Sequence, residues 1–255
     1  MPPSAPSLRA WLDQGPFGLA LSSGFFGFFA HAGLAVALER RGLAPVLVSG
    51  SSAGALVGGL WAAGLSAERI RDRLLSLRRE DFWDPAPGLG LLAGRRFEAL
   101  LAELLPVERF EDCRWRLAVS AFDALALRTR VLASGPLVPA VRASCSLPLL
   151  FQPVWDHARP LWDGGVLDRP GLAGMPCGQR VLHHHLASRS PWRRRASPAL
   201  RPPRREELVS LVIHGLPRSG PGRLHVGRQA LLLAQAAAAR ALDLPVRDGV
   251  VETGV

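Results

Sequence analysis

The 255-residue chain contains no lysine, no asparagine and no tyrosine, so all 31 of its basic residues are arginine, set against 21 carboxylates. An all-arginine inventory reflects the codon bias of a GC-rich genome as much as function. A formal net charge of +10 still creates a positive field that favours anionic partners. Two readings of that charge stand side by side: a solvated basic surface, or a specific anionic partner. Cysteine is scarce. Cys113, Cys145 and Cys177 are too few for a disulfide scaffold, which points to a reducing, cytoplasmic compartment. No internal repeat or heptad period is present, which excludes collagen-like and coiled-coil classes. At 48% hydrophobic and 20% charged residues, the chain is too apolar to be disordered throughout. The length suits one α/β domain over residues 1–255 with a sizeable core, and no composition shift marks a boundary.

Charge is also missing locally. From Gly15 to Leu38 there is no Asp, Glu or Arg. A secretory signal or membrane helix would explain such a run, with Ala30-His31-Ala32 imitating a cleavage site. Against it, Asp13 lies just ahead of the run, and Ser22-Ser23-Gly24 and Gly27 break its middle. A strand, a glycine turn and a helix account for the same letters, so the chain is expected to be soluble.

Along the chain, residues 17–21 predict a buried strand, 30–41 a helix stopped by Gly42, 46–48 a second strand, and 55–63 a small-residue helix stopped by Gly64. That order opens a parallel α/β sheet. Ser66 caps an amphipathic helix through Ile70, Leu74, Leu75 and Leu77. Phe97, Leu100, Leu101, Leu104 and Leu105 repeat at helical spacing, and all of these apolar residues read as core. Residues 117–121, 129–132 and 208–213 predict strands, 137–143 and 229–242 helices, and the tail after Pro245 an extended segment. Residues 188–205 are rich in Pro and Arg and have no periodicity, which predicts a loop.

Ser52 sits in Gly50-Ser51-Ser52-Ala53-Gly54, a G-x-S-x-G pattern between a predicted strand and a predicted helix. This is the setting of a nucleophile elbow. Gly50 and Gly54 permit the tight turn, and the helix start adds positive potential for a developing oxyanion. A serine nucleophile needs a base. One solution is a Ser-Asp-His triad using His183, His184, His185, His214 or His225. The other is a dyad in which a carboxylate takes the proton directly. Asp163, followed by Gly164-Gly165, is the best carboxylate for either, since glycines allow close approach and partial desolvation makes Asp a stronger base.

Five ordered blocks carry a resemblance. Residues 19–33, LALSSGFFGFFAHAG, continue into ALERRG ending at Gly42. Residues 48–60 read VSGSSAGALVGGL. Ala121-Phe122-Asp123, residues 141–148 (VRASCSLP) and Asp163-Gly164-Gly165 follow. Over roughly residues 17–170 the chain resembles the patatin-like phospholipases. The resemblance implies a three-layer α/β/α fold with a mostly parallel central sheet and a Ser-Asp dyad without histidine. It also implies hydrolysis of acyl esters in lipids, phospholipids leading, with neither metal nor organic cofactor. Carried over by position, Ser52 is the nucleophile and Asp163 the base. The family's oxyanion loop reads Gly-Gly-Gly-x-Arg/Lys-Gly, whereas residues 23–28 here read SGFFGF. The amides of Gly24, Phe25, Phe26 and Gly27 remain candidates for the oxyanion hole, but the basic residue is gone, and losing one oxyanion donor costs about 3 kcal/mol in other hydrolases. That departure keeps a weakly catalytic, lipid-binding member as an alternative, beside an α/β-hydrolase with a full triad.

The remaining features carry less. Phe25, Phe26, Phe28 and Phe29 either line an acyl pocket or pack in the core. His31 reads as structural. The run His183-His184-His185 cannot turn three side chains toward one ion in a strand, and no Cys-spaced zinc pattern exists, so no metal is expected. The Arg-rich loop is either solvated or a contact to an anionic membrane through Trp192, Arg193, Arg194 and Arg195. No stacking platform or motif supports nucleic-acid binding.

Overall fold

The computed structural model describes residues 5–187, 197 and 200–255. A short helix α1 (Leu8–Leu12) precedes strand β1 (Gly18–Leu21), and helix α2 (Phe28–Arg40) follows. The uncharged run is therefore split between a strand, a turn and a helix. Among the described residues no helix is long and apolar enough to cross a membrane. Strand β2 (Leu47–Ser51) passes through the single residue Ser52 into helix α3 (Ala53–Ala62). Helix α4 (Ala67–Ser76) begins where the Ser66 hydroxyl accepts from the Arg69 amide at 3.3 Å, an N-cap the sequence signals. Next come β3 (Gly90–Leu92), α5 (Arg95–Leu104), β4 (Arg116–Asp123), β5 (Arg128–Leu132), α6 (Leu137–Ser144), β6 (Leu149–Phe151), β7 (Val154–Asp156) and β8 (Arg159–Asp163). The chain closes with β9 (Val181–His185), β10 (Leu208–His214), α7 (Leu224–Ala241) and β11 (Val250–Gly254). Helix α7 starts five residues before the apolar run that predicts it, because His225, Gly227 and Arg228 interrupt the apolar pattern of its first residues.

Eight strands lie in the order β11-β10-β9-β1-β2-β4-β8-β7, and β5 also pairs with β4. From β11 to β4 every neighbouring pair is parallel, while β8 and β7 run antiparallel. Both faces of the central strands are covered. Leu19, Leu21, Val48, Leu182 and Leu211 pack with the interior of α2, α3 and α7. Ala20, Leu47, Val181 and Leu208 pack on the other side against Met175. The result is a three-layer α/β fold with a mostly parallel central sheet. In the third layer, residues 167–180 form an irregular segment with no regular helix. Double-sided burial explains why β1 and β2 read as short apolar runs without alternation.

Candidate active site

Ser52 stands at the carboxyl end of β2, and its backbone is held at φ 53°, ψ −117°. A non-glycine residue in the left-handed region is strained by about 1–3 kcal/mol. The strain follows from how closely α3 turns back onto the sheet. A Cβ on Gly50 would lie 2.6 Å from the Ala55 amide nitrogen, and one on Gly54 only 2.1 Å from the Leu21 carbonyl oxygen. No side chain fits at either position, so the two glycines let the turn close and lift the Ser52 hydroxyl clear of the backbone.

The sheet itself brings Asp163 to this hydroxyl. Strand β4 pairs with β2 up to Ser51, which lies opposite Ser120. One residue further along β4, Ala121 lies opposite Asp163 of β8. Strand β5 occupies the other edge of β4 over residues 119–123. Strands β2 and β8 therefore share one edge of β4 and meet end to end, β2 arriving parallel and β8 antiparallel. The ion pair between Arg159 and Asp123, 2.9 Å long, ties the far end of β8 to β4. Across 111 positions of sequence, the Ser52 hydroxyl donates to Asp163 Oδ2 at 2.6 Å. The Gly165 amide donates to Oδ1 at 2.8 Å. Asp163 is only 4% exposed. Burial pushes its carboxyl up to about 6, while the hydrogen bonds from Ser52 and Gly165 pull the other way.

A polar clasp that the sequence reading missed surrounds the pair. The Ser52 amide donates to the Ser144 hydroxyl at 2.9 Å, the Cys145 thiol donates to the Ser52 carbonyl at 3.2 Å, and the Asp163 amide donates to the Ser146 carbonyl at 2.9 Å. Burial, and secondarily the Asp163 charge, hold the Cys145 thiol well above its ordinary range, so it stays protonated as a donor. The signal available was three small polar residues between a helix and a proline, at Ser144-Cys145-Ser146.

The loop after β1 lies on the opposite side. The Ser23 amide donates to the Arg169 carbonyl at 2.7 Å, and the Ser22 hydroxyl accepts from the Leu186 amide at 2.9 Å. Among the described residues nothing accepts from the amides of Gly24, Phe25 and Phe26. Gly27 is different from its expected role. Its amide donates to the Gly24 carbonyl at 2.8 Å, where it closes the turn into α2, so the candidate oxyanion set contracts to Gly24, Phe25 and Phe26. The phenylalanines divide: Phe29 is fully buried in the core, while Phe25, Phe26 and Phe28 line the cavity beside Ser52.

His31 braces this loop from behind. Its Nε2–H donates to the Ser22 carbonyl at 2.7 Å, and its Nδ1 lies 2.8 Å from Nδ1 of His184. Burial pulls the His31 pKa down to about 4, so at neutral pH the ring is uncharged. With Nε2 protonated, Nδ1 must accept, and His184 must donate from its own Nδ1. His31→Leu orphans both Ser22 O and His184 Nδ1–H, at about 1–3 kcal/mol each. Thermal denaturation should then show a melting temperature lower by at least about 4 °C, given about 2–4 °C per kcal/mol at this chain length. An unchanged melting temperature would remove the bracing role.

The other histidines lie elsewhere. His183 Nδ1 meets the Ser210 hydroxyl at 3.0 Å and His185 Nε2 meets the Leu200 carbonyl at 3.1 Å. His214 and His225 are exposed. None of the five bonds to Ser52 or Asp163 within the described residues. No described cluster of three His, Cys, Asp or Glu could hold a metal. Trp192, Arg193, Arg194 and Arg195 fall outside the described residues.

A cavity of about 980 Å³ opens from Ser52 and Asp163. Its walls come from α3, α4 and α5, including Leu56, Leu60, Leu74, Phe97, Leu100 and Leu101. The leucines that read as core thus have a second duty as the wall of an apolar chamber. Its volume lies at the upper end for small-molecule sites.

The chain is similar to several known proteins. An uncharacterized NTE family protein of Mycobacterium tuberculosis (strain H37Rv) is 32% identical over 171 residues, covering 65% of this chain and 47% of that protein. Lysophospholipase NTE1 of Scheffersomyces stipitis is 30% identical over 171 residues, covering 64% of this chain and 11% of its own length. The chain thus spans about half the length of the mycobacterial relative and about a tenth of the fungal one. Among solved structures, VipD from Legionella pneumophila superposes with a TM-score of 0.48 at 16% identity, over 82% of this chain and 50% of its own. The type III effector ExoU gives 0.42 at 15%, over 94% and 53%. Residues 19–174, more than half of the chain, match the patatin-like phospholipases, and the protein belongs to that family.

Proposed function

We propose that the chain is a lipid acyl hydrolase working through a Ser52–Asp163 dyad, with phospholipids or lysophospholipids as leading substrates. One observation carries this reading: a 2.6 Å hydrogen bond from Ser52 Oγ to a buried carboxylate at the head of a 980 Å³ apolar cavity. Family membership and the lysophospholipase named among the relatives support the substrate class.

The ester carbonyl binds with its oxygen toward the amides of Gly24, Phe25 and Phe26 and the start of α3, and with its acyl chain in the cavity. Ser52 Oγ attacks the carbonyl carbon while its proton passes to Asp163 Oδ2. Preorganised amides stabilise the oxyanion without reorganisation. On collapse, Asp163 returns the proton to the leaving alkoxide and the acyl group stays on Ser52. Water then attacks the acyl-enzyme carbonyl and loses its proton to Asp163; on collapse the bond to Ser52 Oγ breaks, Asp163 returns the proton to Oγ, and the fatty acid departs. No metal or organic cofactor enters this scheme. The enzyme is cytoplasmic and peripheral at anionic lipid surfaces in this reading, supported by three unpaired cysteines and the net charge of +10, with Trp192, Arg193, Arg194 and Arg195 as the contact.

A fluorophosphonate probe should label the native protein and leave Ser52→Ala unlabelled. Absence of label on folded native protein would favour a lipid-binding role without turnover. The base must be ionised to act, and kcat/KM reports the free enzyme. Because burial lifts Asp163 to about 6, kcat/KM should rise about tenfold per pH unit below 6 and level off above it. A limb centred near 4 would mean that the base is not this buried carboxyl.

A further inference from the structure

The cavity carries a charge asymmetry that the dyad does not explain. Asp163 is the only carboxylate among its described lining residues, against Arg73, Arg169, Arg218 and Arg223. Arg73 faces Asp81 at 3.5 Å, and the buried Arg169 donates to the Leu186 carbonyl at 2.7 Å. Arg218 and Arg223 have no such duty. Both are exposed, and although every Asp and Glu of the chain lies among the described residues, none pairs with either.

The segment between β10 and α7 that bears these arginines is held in shape. The Ser219 hydroxyl donates to the Arg223 carbonyl at 3.1 Å, and the Arg223 amide donates to the Gly220 carbonyl at 2.9 Å. At Gly227 a Cβ would meet the Phe29 ring at 2.1 Å and the Ser219 hydroxyl at 2.7 Å, so α7 and this loop seat directly on α2. A Cβ on Gly220 would lie 3.9 Å from the Phe25 ring, which places the loop beside the candidate oxyanion loop. Topology requires this. Strands β10, β9, β1 and β2 are parallel neighbours, so the loops after β1, β2 and β10 all open at one end of the sheet. Three strand spacings, about 14 Å, separate β10 from β2.

We propose that Arg218 and Arg223 form a phosphate subsite at the mouth of this cavity. They hold the phosphate group attached to the same glycerol as the ester being cleaved. This rests on the hydrolase reading and narrows it: the preferred substrate is an acyl ester carrying a phosphate, not a neutral glyceride. Guanidinium groups suit the role, because their planar donors meet phosphate oxygens in pairs.

The test compares the native protein with the Arg218→Gln/Arg223→Gln double variant on 1-palmitoyl lysophosphatidylcholine and on 1-palmitoylglycerol, which share the acyl ester. The native protein should prefer the lysophospholipid. In the double variant the ratio of the two kcat/KM values should fall about 100-fold, each lost charge-assisted contact contributing roughly tenfold. Glycerol 3-phosphate should compete in the native protein and lose potency in the variant. Equal inhibition by inorganic phosphate would mark the pair as a general anion site and overturn the headgroup assignment. A ratio within twofold of native would overturn the subsite while leaving the hydrolase intact. If the native protein turns over no ester, it is the hydrolase reading that fails. The subsite is then judged by binding of lysophosphatidylcholine to Ser52→Ala protein: tenfold weaker binding without the two arginines supports it, and equal binding overturns it.

Discussion

Asp163→Asn should lower kcat/KM for ester hydrolysis by roughly 10⁴-fold, the scale seen when an acid–base partner of a serine nucleophile is disabled in other hydrolases. The amide is nearly the same size and can still accept from Ser52 Oγ, so the loss reports the missing base and not a missing shape. The same change should make the fold more stable at alkaline pH. The Asp163 carboxyl stands at 3.8 in an unperturbed chain and at about 6 when folded. Between these values the folded protein holds a proton that the unfolded chain has released, so stability falls as pH rises from about 4 to about 6. Above 6 the full deficit stands, on the order of 3 kcal/mol. An asparagine escapes it, though it cannot satisfy both the Ser52 hydroxyl and the Gly165 amide equally well. Melting curves should therefore place Asp163→Asn above the native protein at pH 8, with the gap closing near pH 4. Activity within tenfold of native, or a variant equally destabilised at both pH values, would contradict the role assigned to this carboxylate.

Gly164→Ala should be nearly as damaging, for a steric reason. A Cβ there would stand 2.1 Å from the Ser120 carbonyl oxygen and 2.8 Å from the Ser51 hydroxyl. Neither can yield easily, because both belong to paired central strands. Relief requires the backbone at Gly164 to move by about 1 Å, and Asp163 is its covalent neighbour. A misplacement of that size costs about 10²-fold in rate, and overpacking removes about 1–3 kcal/mol of stability. Turnover of an aryl ester and the fluorophosphonate labelling rate should both fall about 100-fold. Gly254→Ala is the control, since nothing lies within 4 Å of its Cβ position and its φ is not left-handed. If Gly164→Ala labels as fast as Gly254→Ala, the close packing around the base has been overread.

Much of this site was legible in the sequence because its parts are local. A strand, G-x-S-x-G and a small-residue helix describe one turn, and the turn's geometry follows from its own letters. Asp163 is a different case: Asp-Gly-Gly by itself reads as a turn, and the family resemblance is what singles this carboxylate out. What stayed hidden depends on contacts between distant segments. Nothing near Gly27 says that its amide is consumed by Gly24, three letters into a loop whose conformation is set by Arg169 and Leu186. The clasp at Ser144-Cys145-Ser146 becomes visible only when α6 is laid beside the elbow. His31 and His184 read separately as an isolated helix histidine and one of a run of three, and they acquire meaning as a pair across 153 positions. The leucines of α4 and α5 were read by period, which identifies a buried face without telling core from chamber wall.

Because β4 sets the spacing of the reacting pair, insertions and deletions divide into two kinds. The long connection between the elbow and β8 can lengthen or shorten at its loops without disturbing the chemistry. A single residue added within Arg159–Asp163 or within Arg116–Asp123 reverses the pleat beyond it and turns the carboxylate toward the wrong face of the sheet. Transplanting the reacting pair to another scaffold thus calls for three short strands in fixed register, with the clasp at Ser144-Cys145-Ser146 carried along.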